Sequence, residues 1–290
     1  MRPLTPTYLT GIYRISGELP PKVITAFRTM VYKSYRANPR PMPWRETGDP
    51  YQILISEFML QQTQVARVKL KYSEFLSVFP TVHELASAPL SEVLHVWQGL
   101  GYNRRAIFLK RCSEEIVNRY SGHFPQTIDE LQSLPGIGPY TARAVAAFAF
   151  GRAEPLIETN IRTVFIHYFF HGHDSVNDRE IMPLITATLH RESPREWYYA
   201  LMDYGCMLKL SNPNPGRRSR HHAPQSRFEG SNRQLRSRLL REVMSQPGIT
   251  LQKLVSILAA EPKPIEENLE ALQREGFLAK YGDGFRVNDK

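Results

Sequence analysis

Residues 134–145, LPGIGPYTARAV, set two glycines and two prolines between stretches that otherwise favour helix. Upstream, Thr127-Ile128-Asp129-Glu130 reads as a capping box, so a short helix runs into the break. Downstream, Pro139 suits the first position of a second helix and Gly138 its cap. The chain must bend between two helices through a turn whose middle, Gly136 and Gly138, carries no side chain. Backbone N–H groups at a helix start, left unshielded in this way, make an anion site. A purely structural αα-hairpin is the other reading of the same residues.

The surrounding sequence is helical in pattern. VITAFRTMVYKSYRAN (23–38) carries apolar residues at helical spacing, and Asp49-Pro50 opens a long run, YQILISEFMLQQTQVARVKLKYSEFLSVF. TVHELASA, LSEVLHVWQG, RRAIFLKRCSEEIVNRY and the segments 178–191 and 194–210 continue it. No alternating strand pattern occurs before residue 277, so residues 1–210 read as one all-α domain.

Residues 211–233, SNPNPGRRSRHHAPQSRFEGSNR, break the pattern with proline, glycine, serine and arginine. They read either as a solvated linker or as a basic loop that meets a polyanion. Residues 234–290 form a second small domain. Leu235, Leu239 and Val243 line one helix, Thr250 caps a second, and Pro264 to Gly276 frame a third. FLAKYGDGFRV ends it as a hairpin turning at Asp283-Gly284. Three helices and a hairpin resemble a winged helix.

The partner class follows from charge. A net charge of +9 and a pI near 9.6 suggest a polyanion, most often nucleic acid. No apolar run reaches the length of a membrane span, and the N-terminus lacks the apolar core of a signal peptide. Two cysteines, Cys112 and Cys206, fit a reducing cytoplasm.

LPGIGPYTARAV resembles the helix-hairpin-helix of the endonuclease III superfamily of DNA glycosylases, whose hairpin grips a phosphate. PMPWRETGDPYQILISEFMLQQTQV and VWQGLGYNRRA extend the likeness, which runs from about Met42 to Lys209 and is closest to the adenine DNA glycosylases. The resemblance implies a mostly α helix-hairpin-helix glycosylase with a winged-helix-like module behind it. Such a protein would remove adenine mispaired with 8-oxoguanine or guanine, acting on duplex DNA as a cytoplasmic, nucleoid-associated monomer.

The same likeness assigns roles. Glu57, inside the apolar ILISEFML, is implied to be the general acid at adenine N7, its pKa raised by its surroundings. Gln61 and Gln62, on the same helix, are implied to fill or probe the space left by the extruded nucleotide. Arg45 lies beside the flipped base, and Gly136, Gly138 and Thr141 hold DNA at the hairpin. Bifunctional relatives carry a lysine at the position of Tyr140. A phenol forms no Schiff base, so release of the base without strand cleavage is expected. Glu158, with Asn160, stands for the carboxylate that stabilises the cationic sugar.

Two departures stand out. The family has Asp where this chain has Glu158, which is one methylene longer. Most relatives also place four cysteines after the segment that reads LMDYGCMLK here. Cys206 falls three residues before the first expected ligand, where Lys209 stands, and no cysteine follows. A [4Fe–4S] cluster takes four thiolates, so none is expected and no cofactor is assigned. The family likeness implies that Arg217 and Arg218 contact DNA in place of the relatives' cluster loop. The rival readings are thymine or uracil removal from G mismatches, and a DNA-binding regulator without catalysis.

Overall fold

The computed structural model describes residues 4–211, 213–224 and 227–289. The chain divides into two compact units, each built from separated segments. The expected glycosylase domain, residues 1–210, draws on both.

The first unit comprises residues 1–53, 126–128 and 138–224. It holds α1 (Pro6–Ser16), α2 (Pro21–Ala37), a short 3-10 turn (Pro43–Arg45), α9 (Pro139–Phe150), α10 (Thr159–Phe169), α11 (Asp178–Thr188) and α12 (Pro194–Ser211). Helix α10 is its centre, packed by α1, α11 and α12. The spacing of VITAFRTMVY puts Val23, Phe27 and Val31 of α2 on one buried face. The Phe27 ring meets Phe165, Tyr168, Phe169 and Trp197 at centroid separations of 5.3–6.1 Å, mostly edge to face. Helix α12 crosses α10 at Gly205, where a Cβ would collide with the backbone carbonyl of Asn160. Only glycine permits that approach.

The second unit comprises residues 54–125, 129–137 and 225–290. Here lie α4 (Val65–Val78), α5 (Val82–Ser87), α6 (Leu90–Trp97), α7 (Arg104–Tyr120) and most of α8 (Ile128–Ser133). Helix α3 (Pro50–Leu60) runs from the first segment set into this one. Thr81 and Glu84 close a capping box on α5, and in the core the Phe75 ring meets Phe79 at a tilt and Trp97 edge to face.

The C-terminal residues add α13 (Asn232–Ser245), β1 (Ile249–Thr250), α14 (Leu251–Leu258), α15 (Pro262–Arg274), β2 (Leu278–Tyr281) and β3 (Gly284–Val287). The strands form one antiparallel sheet in the order β1-β3-β2, and the Thr250 side chain caps α14 as expected. The hairpin turn is Gly282-Asp283, with Tyr281 paired to Gly284. It therefore sits one residue earlier than the Asp283-Gly284 expected from sequence. Gly282 takes the positive φ of 57° that the turn needs. The module is tied to α6 through Asp289, whose carboxylate accepts from Ser91 N and Oγ at 2.7 and 3.0 Å.

Candidate active site

In the second unit, Glu57 lies on α3 and is buried, as are its chain neighbours Leu54, Ile55, Ser56, Phe58 and Met59. The helix ends at Leu60, however, so Gln61 and Gln62 are not its continuation but a turn, with Gln62 at φ 53°. A left-handed glutamine is a strained placement that the surroundings must enforce. The enforcing group is one that sequence reasoning missed. Arg105, buried on α7, donates from Nη1 to the carbonyls of Phe58, Met59 and Gln61 at 2.7–2.8 Å. Its Nη2 reaches Thr63 Oγ1 and the Gly101 carbonyl at 3.0 and 2.8 Å. One guanidinium thus satisfies the orphaned carbonyls at the end of α3 and fixes the turn that follows. Burial pulls its pKa down to about 10, which leaves it charged at neutral pH. The GLGYNRRA segment contained it, but nothing in its pattern separates Arg105 from the exposed Arg104.

The hairpin turn separates its two glycines by function. Gly136 has φ 77°, and a Cβ there would lie 2.5 Å from Phe108 Cβ. Its bareness serves packing. Gly138, the N-cap of α9, has φ −87° and open space where a Cβ would be, so neither conformation nor packing demands glycine. The fold itself places no demand on its bareness. Tyr140 follows in the first turn of α9, partly exposed. Thr141 is buried, which withdraws its side chain from the DNA contact expected of it.

In the first unit, Glu158 is the N-cap of α10. Its Oε1 accepts from the backbone N–H of Asn160 and Ile161 at 2.7 and 2.8 Å, and its Oε2 accepts from Asn160 Nδ2 at 3.2 Å. Glu158 and Asn160, named together from the sequence, are in hydrogen-bond contact through both backbone and side chain. Part of the residue's surface still reaches solvent, but crowding around the carboxyl raises its pKa above the ordinary value. The hydrogen bonds and the charges of Lys209 and Arg162 oppose that rise.

Arg45 is committed. Its guanidinium pairs in bidentate fashion with the buried Asp203 of α12 at 2.8 and 2.9 Å and lies 4.6 Å over the Tyr199 ring. It ties the 3-10 turn to α12, and Asp203, unmarked by sequence reasoning, is what holds it. The basic segment also splits. Arg218 donates to the carbonyls of Phe170 and His173 at 2.7 and 3.1 Å, so it anchors its own loop. Arg217 is exposed. Of the two expected DNA contacts, only Arg217 presents its charge to solvent.

The cluster implied by the resemblance does not fit these residues. The chain has two cysteines, Cys112 buried on α7 and Cys206 on α12. Among the described residues no group of three or more His, Cys, Asp or Glu side chains could hold a metal.

Comparison with known proteins places this arrangement in a family. The model described as "HhH-GPD superfamily base excision DNA repair protein" matches residues 55–186. An adenine DNA glycosylase of Mycolicibacterium smegmatis is 33% identical over 263 residues, covering 84% of this chain and 90% of that protein. The chain belongs to the HhH-GPD superfamily and is a DNA glycosylase. A thymine/uracil-DNA glycosylase of Pyrobaculum aerophilum is 35% identical over 189 residues, covering 62% of this glycosylase and 81% of that one. A solved thermostable thymine-DNA glycosylase superposes with a TM-score of 0.60 at 28% identity, covering 63% of this chain and 86% of the other. Among the described residues of the glycosylase, no helix is long and apolar enough to cross a membrane.

Proposed function

We propose that this glycosylase hydrolyses the N-glycosidic bond of adenine opposite 8-oxoguanine or guanine and leaves the strand uncut. The observation that carries the reading is the Glu158 carboxylate, whose two oxygens accept three hydrogen bonds at the start of α10. Those donors favour its ionised form and oppose the rise that burial gives its pKa. Glu57 is buried on α3. In the proposed reaction Glu57 delivers a proton to adenine N7. The C1′–N9 bond breaks and its electron pair leaves with the base. Ionised Glu158 stabilises the cationic sugar, and water adds to C1′ as hydroxyl while its remaining proton restores the Glu57 carboxyl. Tyr140 supports the carboxylate and Asn160 holds it. Gln61 and Gln62 flank the extruded base, with Arg45 behind them as a support tied to Asp203, and the hairpin backbone at Gly138, together with Arg217, holds the phosphates. The protein acts as a monomer in the cytoplasm. Residues 234–290 serve as a winged-helix-like module joined through 211–233.

The test is a panel of labelled duplexes with A opposite 8-oxoguanine, A opposite G, T opposite G and U opposite G. Product strands are compared with and without alkali. Alkali-dependent cleavage at the two adenine substrates is expected, stronger opposite 8-oxoguanine. Cleavage without alkali, or efficient trapping by borohydride, contradicts the monofunctional reaction. The Pyrobaculum likeness favours one alternative, removal of thymine or uracil. Activity confined to the T and U duplexes would establish it.

A further inference from the structure

Lys209 sits on α12 one turn beyond Gly205, on the same side of the helix. Gly205 brings that side onto the backbone of Asn160. Lys209 Nζ then lies 2.7 Å from Asn160 Oδ1. An ammonium donates only, so the oxygen of the amide must face it and Nδ2 must face the other way. Nδ2 is the group that donates to Glu158 Oε2. Lys209 and the Glu158 carboxylate therefore select the same orientation from opposite sides, because the flip would set the amide oxygen against the carboxylate and the amide nitrogen against the ammonium.

We propose that Lys209 is a positioning residue for the sugar-stabilising carboxylate: it fixes the Asn160 amide that holds Glu158 and keeps a positive charge behind the pair. The inference rests on the role given to Glu158 above. The charges that face the pair support it. Arg162 of α10 is drawn to Asp178 in a bidentate pair at 2.7 Å, and His221 lies 3.7 Å from the same carboxylate. Lys209, by contrast, is influenced most among charged groups by Glu158, with smaller influences from Cys206 and Arg162. Burial lowers the Lys209 pKa and the carboxylate opposes that lowering, as the lysine opposes the rise at Glu158. Each charge stabilises the other.

The test measures single-turnover excision from an A·8-oxoguanine duplex across pH for wild type, Lys209→Met, Lys209→Arg, Asn160→Ala and Lys209→Met/Asn160→Ala. Lys209→Met should lower the rate roughly tenfold or more at neutral pH, because a misoriented group next to a developing charge loses much of its effect. Its acid limb should move up by on the order of one pH unit, the shift that an adjacent charge gives a carboxyl. Lys209→Arg should recover most of the rate. In the Asn160→Ala background Lys209→Met should cost little more. An unmoved pH profile in Lys209→Met, or equal losses in Lys209→Met and Lys209→Arg, would overturn the proposal. So would borohydride trapping that disappears in Lys209→Met, because the lysine would then be a nucleophile. NMR titration of the Glu158 carboxyl, assigned with Glu158→Gln, is independent of any reaction. If the wild type excises no base, the functional reading fails. An upward shift of the Glu158 midpoint in Lys209→Met then still supports the coupling, and an unchanged midpoint refutes it.

Discussion

Glu158 shows how one methylene can be accommodated. An N-cap carboxylate needs to reach two backbone N–H groups, and Glu158 reaches both while its second oxygen meets Asn160. We expect Glu158→Gln to lower single-turnover excision by roughly a hundredfold to a thousandfold, the usual effect of removing a preorganised electrostatic group. Glu158→Asp should also fall, since the shorter chain must give up one of these contacts; a faster Glu158→Asp enzyme would mean the pocket is still shaped for Asp. The raised pKa has a definite sign for stability. The folded state binds the proton more tightly than the unfolded chain, so the contribution is complete below the ordinary value of 4.5 and is lost as pH rises through the folded value. Thermal melts of wild type against Glu158→Gln should therefore shift in favour of the mutant as pH rises above 4.5. A difference that does not change with pH would show that the carboxyl is not perturbed. Glu57, Glu158, Tyr140 and Asn160 could be named as candidates because each falls within a motif, and the hydrogen bonds between Glu158 and Asn160 are what the structure adds. Asp203 and Lys209 were not, because their roles depend on the crossing of α12 with α10 and on contacts distant in sequence.

At the scale of elements, the helices were legible from apolar spacing and their starts from Pro and Thr. Their ends were less so. The run through MLQQTQV reads as unbroken helix, yet α3 stops at Leu60 because Arg105, from a helix distant in sequence, takes its last carbonyls. Arg105→Met should destabilise the protein by at least about 3 kcal/mol, since several carbonyls lose a charged donor at once. Urea denaturation measures this, and an unchanged midpoint would deny the cap. The two turn glycines make a paired test. Gly136→Ala meets both a positive φ and the Phe108 side chain, so it should lower stability. Gly138→Ala meets neither, and should leave the melting temperature nearly unchanged while weakening duplex binding. Equal binding by Gly138→Ala and wild type would return the hairpin to a structural role.

At the scale of the whole molecule, the net charge of +9 is the long-range part of recognition. Duplex affinity should fall steeply with salt, by a slope of about 0.9 per phosphate contact on a log–log plot. The single-turnover rate at saturating protein should change little, because the carboxylates act at short range. The linker was only half legible. Residues 215–219 are fastened to the first unit by Arg218 and by pairing of Val176 with Ser219, which a proline- and arginine-rich composition does not announce. Residues 212, 225 and 226 lie outside the described residues. The three helices and the hairpin of the C-terminal residues were legible from their caps and turn, and the attachment to α6 through Asp289 was not. The central claim is that two carboxylates divide the cleavage of one glycosidic bond. It is tested most directly by the release of free adenine from an A·8-oxoguanine duplex under single-turnover conditions, with wild type and Glu57→Gln at matched duplex occupancy. Wild type should release one adenine per duplex, and Glu57→Gln should bind as tightly and release almost none. Adenine release by Glu57→Gln at the wild-type rate would contradict the account.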